Sequence, residues 1–359
     1  MSTLVVVERE AREVPGRLVD GRPMIPAGAL EELLGWQAKP EGLCRGEICV
    51  PFRDRAALYP GGRRVSGDGR GGSEDELDLS VAAGLLGRPV VVDEAAGMVA
   101  VGLDAEQRRR ALVDLEAPDF SLPDLDGRPH RLGEWAGRKR LLITFASWCG
   151  CRYDLPGWQA LQDELSPDAL TVVAVAMDNE AVDVRPWVDG ITLPVLLDAN
   201  HLLSELYAMS NVPTVVWIAE DGRIARPNAL AFGTDTFREL TGVAAGPHLD
   251  EVRRWVREDR APMAAADASG AVADLTEEEV LARLHFRIGA VALGRGDQAT
   301  ARRHLAVASS LAPYDWTVRR AAMPLVGDDP FGQGFLDLYA EWQRAGSPYH
   351  GLPVATDQD

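Results

Sequence analysis

The chain has 359 residues, 46% of them apolar and 26% charged, with a net charge of −18. That length exceeds one ordinary core and predicts two or three domains of a soluble globular protein. The negative balance excludes nucleic acid and an anionic membrane surface as expected partners. The apolar run after Met1 is too short for a secretory signal and no stretch approaches a membrane span, so a cytoplasmic location is expected. Four cysteines in such a chain point to redox or metal chemistry before structural disulfides. Residues 1–110 read as a small α+β domain. In it, Leu18–Pro26 is a predicted strand and turn, Ala29–Trp36 a short helix, Val81–Gly87 a helix, and Pro89–Val92 and Met98–Val101 strands. Cys44 and Cys49 lie in a loop between these halves, and Gly61–Glu76, rich in glycine, arginine and acids, reads as mobile.

The middle of the chain is organised around Phe145–Pro156, F-A-S-W-C-G-C-R-Y-D-L-P. Leu141–Phe145 reads as a buried strand of a parallel sheet, and Leu155, Trp158, Leu161 and Leu165 recur at helical spacing. Cys149 and Cys151 therefore stand where a strand hands over to a helix. Unpaired N–H groups and the helix dipole there favour a thiolate. A thiolate beside a second cysteine can attack a disulfide and then be released by its neighbour. On this reading Cys149 is the more exposed nucleophile, and Cys151, one step inside the helix, is the resolving thiol. A pair of core cysteines and a soft-metal site are the alternatives. Downstream, the pattern predicts a strand over Leu170–Met177, a helix over Ala181–Val188, a strand over Leu193–Leu197 and a helix over His201–Met209. A hairpin across Asp221-Gly222 and a closing helix over Leu249–Glu258 follow.

Ala261–Asp274 reads as part of a linker over 261–275, and Thr276–Glu279 as a capping box that opens a helix. Ile288, Gly289, Ala301, Leu305, Ala308 and Pro313 resemble the spacing of a tetratricopeptide repeat, with His285 and Ala292 at its usual Trp and Tyr positions. One repeat cannot bury its own face. Trp316–Arg320 and Phe331–Trp342 are its expected companions, and 276–359 is expected to be a helical unit that packs or docks a protein partner.

Residues Ala117–Gly242 resemble a thioredoxin-like domain of the TlpA/ResA and AhpC/TSA (redoxin) type. The resemblance is carried by A-P-D-F-S-L-P-D-L-D-G at 117–127, W-C-G-C-R-Y-D-L-P against W-C-x-x-C-R-x-E-x-P, and Val212-Pro213-Thr214 before a strand and E-D-G-R-I. It implies an α/β chain with a thioredoxin-like fold over 111–260, flanked by the α+β and helical units. It further implies a cis bond before Pro213, with the ring against the dithiol and the Val212 backbone free to pair with an extended peptide. Trp148 would shield the thiolate. Asp154, at the acid position of the motif, would accept a proton during resolution, or would be a solvated acid in the first helical turn. Pro156 is expected to bend the helix. With one residue missing between the cysteines, the smaller ring is expected to make a more oxidising or isomerase-like couple, or a first cysteine that works alone. Residues near the amino terminus also resemble the stalk domain of copper amine oxidases, from which no copper chemistry follows.

The expected function is a thiol–disulfide oxidoreductase acting on a protein or small-molecule disulfide, with Cys149, Cys151 and Asp154 catalytic and Trp148, Val212 and Pro213 substrate-binding. Cys44 and Cys49 could be a second dithiol that relays to Cys149, part of a four-thiolate zinc site, or a local loop pair. No metal ligand is assigned and no cofactor beyond the dithiol is expected. The alternatives are a thiol peroxidase, although Phe145–Cys149 lacks the Pro-x-x-x-Thr/Ser-x-x-Cys loop, and a non-catalytic redox-sensing or metal-binding module.

Overall fold

The computed structural model describes residues 3–52, 54–61, 75–165 and 170–353, so most of the loop expected over 61–76 lies outside the described residues. The chain divides into two compact units, Met1–Ala105 with Glu277–Ala308, and Glu106–Thr276 with Ser309–Asp359. The helices expected as one carboxy-terminal unit are therefore shared between the two. Among the described residues no helix is long and apolar enough to cross a membrane.

In the first unit the run Leu4–Val7 has no polar residue with which to face water, and both its faces are covered. Strand Thr3–Val7 pairs parallel with Met98–Val101 and antiparallel with Ala11–Pro15, and Val90–Asp93 closes the sheet beyond Met98–Val101. Side chains alternate across a strand. Leu4 and Val6 join Ile25, Leu30 and Leu79 on one face, while Val5 and Val7 meet Leu284, Ile288 and Ala292 on the other. The helices Glu277–Gly294 and Gln298–Leu311 thus bury the repeat-like pair against a β-sheet. His285, at the repeat's Trp position, belongs to a polar chain: its Nδ1 is 2.9 Å from His304 Nδ1, and His304 Nε2 is 2.7 Å from Asp93 Oδ2. Burial pushes the His285 imidazole down to about 4. Cys44 and Cys49 stand opposite each other on the strands Gly42–Arg45 and Ile48–Pro51 and are joined as a disulfide with Cα atoms 4.1 Å apart.

The second unit is built on a five-stranded sheet in the order Val195–Leu197, Leu170–Ala176, Lys139–Phe145, Val215–Ile218, Ile224–Ala229. The first three run parallel and the last two antiparallel to their neighbours. Every residue of Lys139–Phe145 and Leu170–Ala176 is buried, which is why these stretches are continuously apolar at their centres. Each fully buried Leu, Val or Ile contributes roughly 1.5–3 kcal/mol relative to exposure. Helix Leu155–Leu165 covers the sheet with Leu155, Trp158, Leu161 and Leu165, the predicted face. Helix Ala245–Glu258 adds Val252 and Trp255, with the Trp255 ring 5.1 Å from that of Trp217.

Two segments differ from expectation. The supposed linker carries a short helix, Ala265–Ala268, and buries Ala268, Val272 and Leu275. The Ser269 hydroxyl donates to the Val113 carbonyl at 2.6 Å and the Gly270 N–H to Leu112 at 2.8 Å. Alanine-rich composition suggested mobility, but small side chains also allow close backbone packing. Beyond it, helices Trp316–Val326 and Gln333–Arg344 belong to this unit, and Leu352 forms a parallel bridge with Ala229 at the sheet edge.

Candidate active site

Strand Lys139–Phe145 delivers Ala146-Ser147-Trp148-Cys149, after which the chain turns through a 3-10 helix, Gly150–Asp154, into helix Leu155–Leu165. Cys151 therefore sits in a tighter turn before the α-helix and not within it. Pro156 is the second residue of the α-helix, where its missing N–H costs nothing, so it starts the helix without bending it. Cys149 has extended backbone, and its Sγ accepts the Cys151 N–H at 3.2 Å. The two sulfurs form a disulfide, with Cα atoms 5.2 Å apart.

Both cysteines of the pair are buried, Cys149 at 4% exposed and Cys151 at 3%, so neither sulfur is openly exposed. The cis Val212–Pro213 segment covers one side, with the Val212 carbonyl oxygen 3.4 Å from Cys149 Sγ. Phe237 covers another: a Cβ on Gly150 would lie 2.4 Å from Phe237 Cζ, so only glycine fits between the cysteines beneath that ring. The proline segment is tied to the catalytic strand. Thr144 N–H donates to the Thr214 carbonyl at 2.9 Å, and Thr214 N–H donates to Thr144 Oγ1 at 2.8 Å. The Val212 N–H is not free, because the Asn211 side-chain oxygen accepts it at 2.8 Å.

Asp154 is 1% exposed, which removes the solvated-acid reading. Its Oδ1 accepts the Thr234 N–H at 2.9 Å and hydroxyl at 2.5 Å, while Oδ2 has no hydrogen-bond partner among the described residues. Thr234 reaches it because Gly157 lets the 233–234 backbone come close; a Cβ there would lie 2.1 Å from the Gly233 carbonyl oxygen. Burial pushes the Asp154 carboxyl up to about 6. Residues three apart in a 3-10 helix eclipse, which stacks Asp154 and Cys151 on one side of the turn.

Asp178 was not anticipated. It follows strand Leu170–Ala176 and accepts the Ser147 N–H at 3.1 and 3.0 Å as well as the Ser147 hydroxyl. Burial raises its carboxyl to about 6 as well. An acid at the carboxyl end of a parallel strand was the signal available in the sequence. Arg152 donates to the Ser147 carbonyl, and its guanidinium lies 3.9 Å from the Trp187 ring centroid. Trp148, expected to shield the thiolate, is buried, and its indole N–H donates to the Met177 carbonyl at 3.2 Å.

A cavity of about 250 Å³ opens over the disulfide. Cys149, Cys151, Val212 and Pro213 line it, as do Phe237 and aromatic residues of the last two helices; Trp148 and Asp154 do not. Cys44 and Cys49 belong to the other compact unit and are already paired with each other, which leaves a local pair as their observed state.

Comparison with known proteins places these features in context. The AhpC/TSA family matches residues 113–226. The thioredoxin-like protein YneN of Bacillus subtilis is 35% identical over 131 residues, which is 35% of this chain and 74% of that protein. The thiol-disulfide oxidoreductase ResA of Geobacillus thermodenitrificans is 26% identical over 150 residues, 41% of this chain and 82% of the relative. Among solved structures, the pneumococcal exposed lipoprotein thioredoxin Etrx1 of Streptococcus pneumoniae is 30% identical and covers 32% of this chain and 90% of its own, with a TM-score of 0.29.

Proposed function

The chain belongs to the thioredoxin-like AhpC/TSA family, and on that premise we propose that it is a thiol–disulfide oxidoreductase whose working pair is Cys149 and Cys151. One observation carries the assignment. The two sulfurs are bonded to each other at the junction of strand and 3-10 helix, with Cys149 Sγ 3.4 Å from the Val212 carbonyl and Cys151 N–H directed at it. In the reduced protein that N–H, with the amino-terminal turn behind it, stabilises a Cys149 thiolate. The thiolate attacks a substrate sulfur and forms a mixed disulfide. Cys151 then attacks Cys149 and releases the second thiol. Asp154 is the proton acceptor for Cys151 in this step: it is eclipsed with Cys151 on the turn, one of its oxygens is unpartnered, and its carboxyl titrates near 6. Asp178 holds the Ser147 backbone and hydroxyl and so fixes the approach of the chain to Cys149.

Differential alkylation of each cysteine, read by mass spectrometry across a series of glutathione redox buffers, tests this. Cys149 and Cys151 are expected to convert together at one potential. Independent modification of the two, with no potential at which they pair, would remove the dithiol mechanism.

A further inference from the structure

The last two helices enclose the dithiol and have no counterpart in the family match, which ends at residue 226. The first of them and the segment that follows the second are fastened to the thioredoxin-like core by four hydrogen bonds. Trp316 N–H donates to the Ser210 carbonyl at 2.9 Å, two residues before Val212. The Thr317 carbonyl lies 2.7 Å from His201 Nδ1, the His350 N–H donates to Ser210 Oγ at 2.9 Å, and the Leu352 N–H donates to the Asn228 carbonyl at 2.9 Å.

What the helices present to the disulfide is aromatic. Trp316 lies 5.9, 6.1 and 5.7 Å from the ring centroids of Phe335, Tyr339 and Trp342. Phe237 approaches from the other side and packs on Gly150. Among the described residues that line the cavity, Arg320 is the one cation, and the Arg152 guanidinium packs on the wall residue Phe331 at 4.5 Å from its centroid. The Arg320 guanidinium sits 3.9 Å from the Phe335 centroid and 5.3 Å from that of Phe331, and it donates to the Pro330 carbonyl at 3.3 and 3.1 Å. Among the described residues no carboxylate pairs with it.

Two features weigh against an extended polypeptide as the occupant. The Val212 N–H, which a pairing strand would need for a ladder hydrogen bond, is held by the Asn211 side chain. The cavity, about 250 Å³, has room for one substituted ring, since an apolar cavity of about 150 Å³ already accepts benzene. We infer that the substrate is a low-molecular-weight disulfide with an aromatic body and a carboxylate, its ring held by Trp316, Phe335 and Tyr339 and its charge by Arg320. This rests on the oxidoreductase reading and adds the class of molecule that the pair acts on. The reaction balances without a further reagent. The Cys149 thiolate bonds to one substrate sulfur as the substrate S–S bond breaks, and the first half leaves as a thiolate. Cys151 then bonds to Cys149 as the mixed disulfide breaks. Two electrons pass to the substrate, whose halves leave as thiolates; the Cys149 proton goes to solvent when its thiolate forms, the Cys151 proton goes to Asp154, and the Cys149–Cys151 disulfide remains.

The test is a single turnover of the full chain, reduced with dithiothreitol and then freed of it. It is mixed with dithiobis(nitrobenzoate), which is aromatic and carries carboxylates, with the neutral aromatic dithiodipyridine, with the neutral aliphatic hydroxyethyl disulfide, and with insulin. Each rate is divided by that of free glutathione with the same disulfide, which cancels intrinsic reactivity. The expected order is the carboxylate-bearing aromatic, the neutral aromatic, then the aliphatic, with about tenfold between first and last. Arg320→Gln is expected to slow only the carboxylate-bearing disulfide, by about tenfold. Tyr339→Leu is expected to slow both aromatic disulfides, so the inference does not depend on one variant folding. Equal normalised rates for all small disulfides, or insulin as the fastest substrate, would overturn the inference and leave thiol–disulfide exchange standing. No reaction with any of the four, by protein whose circular dichroism is native, would overturn the oxidoreductase reading as well.

Discussion

The chain holds two cysteine pairs, both bonded, in surroundings that share almost nothing. Cys44 and Cys49 face each other across two hairpin strands, with Cys44 buried and Cys49 exposed. Strand register alone brings them together, and neither lines the cavity described above. Cys149 and Cys151 are both buried, sit on a 3-10 turn that directs an N–H at one sulfur, have two carboxyl groups held near 6 close by in the fold, and open onto an aromatic cavity. A disulfide is thus a covalent bond whose role is set by its neighbours. Cross-strand geometry suits a staple, whereas a helix start beside a buried carboxyl and a cavity suits the reactive couple proposed above.

Single serine substitutions separate the two pairs most strongly. Cys149→Ser is expected to reduce disulfide exchange to the uncatalysed background in a single-turnover assay, while Cys44→Ser leaves the rate unchanged. Equal loss in both would join the pairs into one relay. The next largest effect is on stability. A disulfide that closes so short a loop, with a sequence separation of 5, contributes about 2 kcal/mol in the chain-entropy account. Urea unfolding of the Cys44→Ser, Cys49→Ser double variant should show a loss of that size in the unit that holds the hairpin. Gly150→Ala should cost about 1–3 kcal/mol, the usual range for overpacking, because its methyl group meets Phe237, and Gly150→Ala combined with Phe237→Leu should recover most of it. The equivalent substitution at Gly46, in the hairpin turn with φ +59, meets no neighbouring atom and costs only backbone strain.

The smallest expected effect is in pH dependence, and it sharpens the electrostatic contrast. Asp154 and Asp178 have folded values near 6 against 3.8 when unperturbed, with burial as the first cause in each. The native state then binds more protons than the unfolded chain between those values, so these groups lower stability as pH rises from 3.8 to about 6. Asp154→Asn retains an oxygen for Thr234 and removes one of the two titrations. Denaturation midpoints at pH 4.5 and 7 should therefore converge in that variant. The rate of mixed-disulfide resolution should also lose the part of its rise near pH 6 that comes from this carboxyl; an unchanged profile would exclude Asp154 as the acceptor.

Much of the fold was legible in the chain itself. The buried strands Lys139–Phe145 and Leu170–Ala176, the face of helix Leu155–Leu165 and the hairpin at Asp221-Gly222 all follow from local apolar period and turn chemistry, which depend on neighbours a few residues away. The Cys149–Cys151 pair and Pro213 were legible for the same reason, since a short motif carries them. The helical segments of 276–344 were also visible as helices, but not their destinations. Whether Leu284 and Ile288 meet a second repeat or the sheet of Val5 and Val7 depends on which apolar face lies nearest in space. Only the tertiary structure decided that Asp178 reaches Ser147, that Phe237 closes over Gly150, and that Trp316, Arg320 and Tyr339 wall the cavity at Cys149. These contacts join residues 31 to nearly 200 positions apart, and a local pattern constrains each side chain's own element without specifying the partner across the fold.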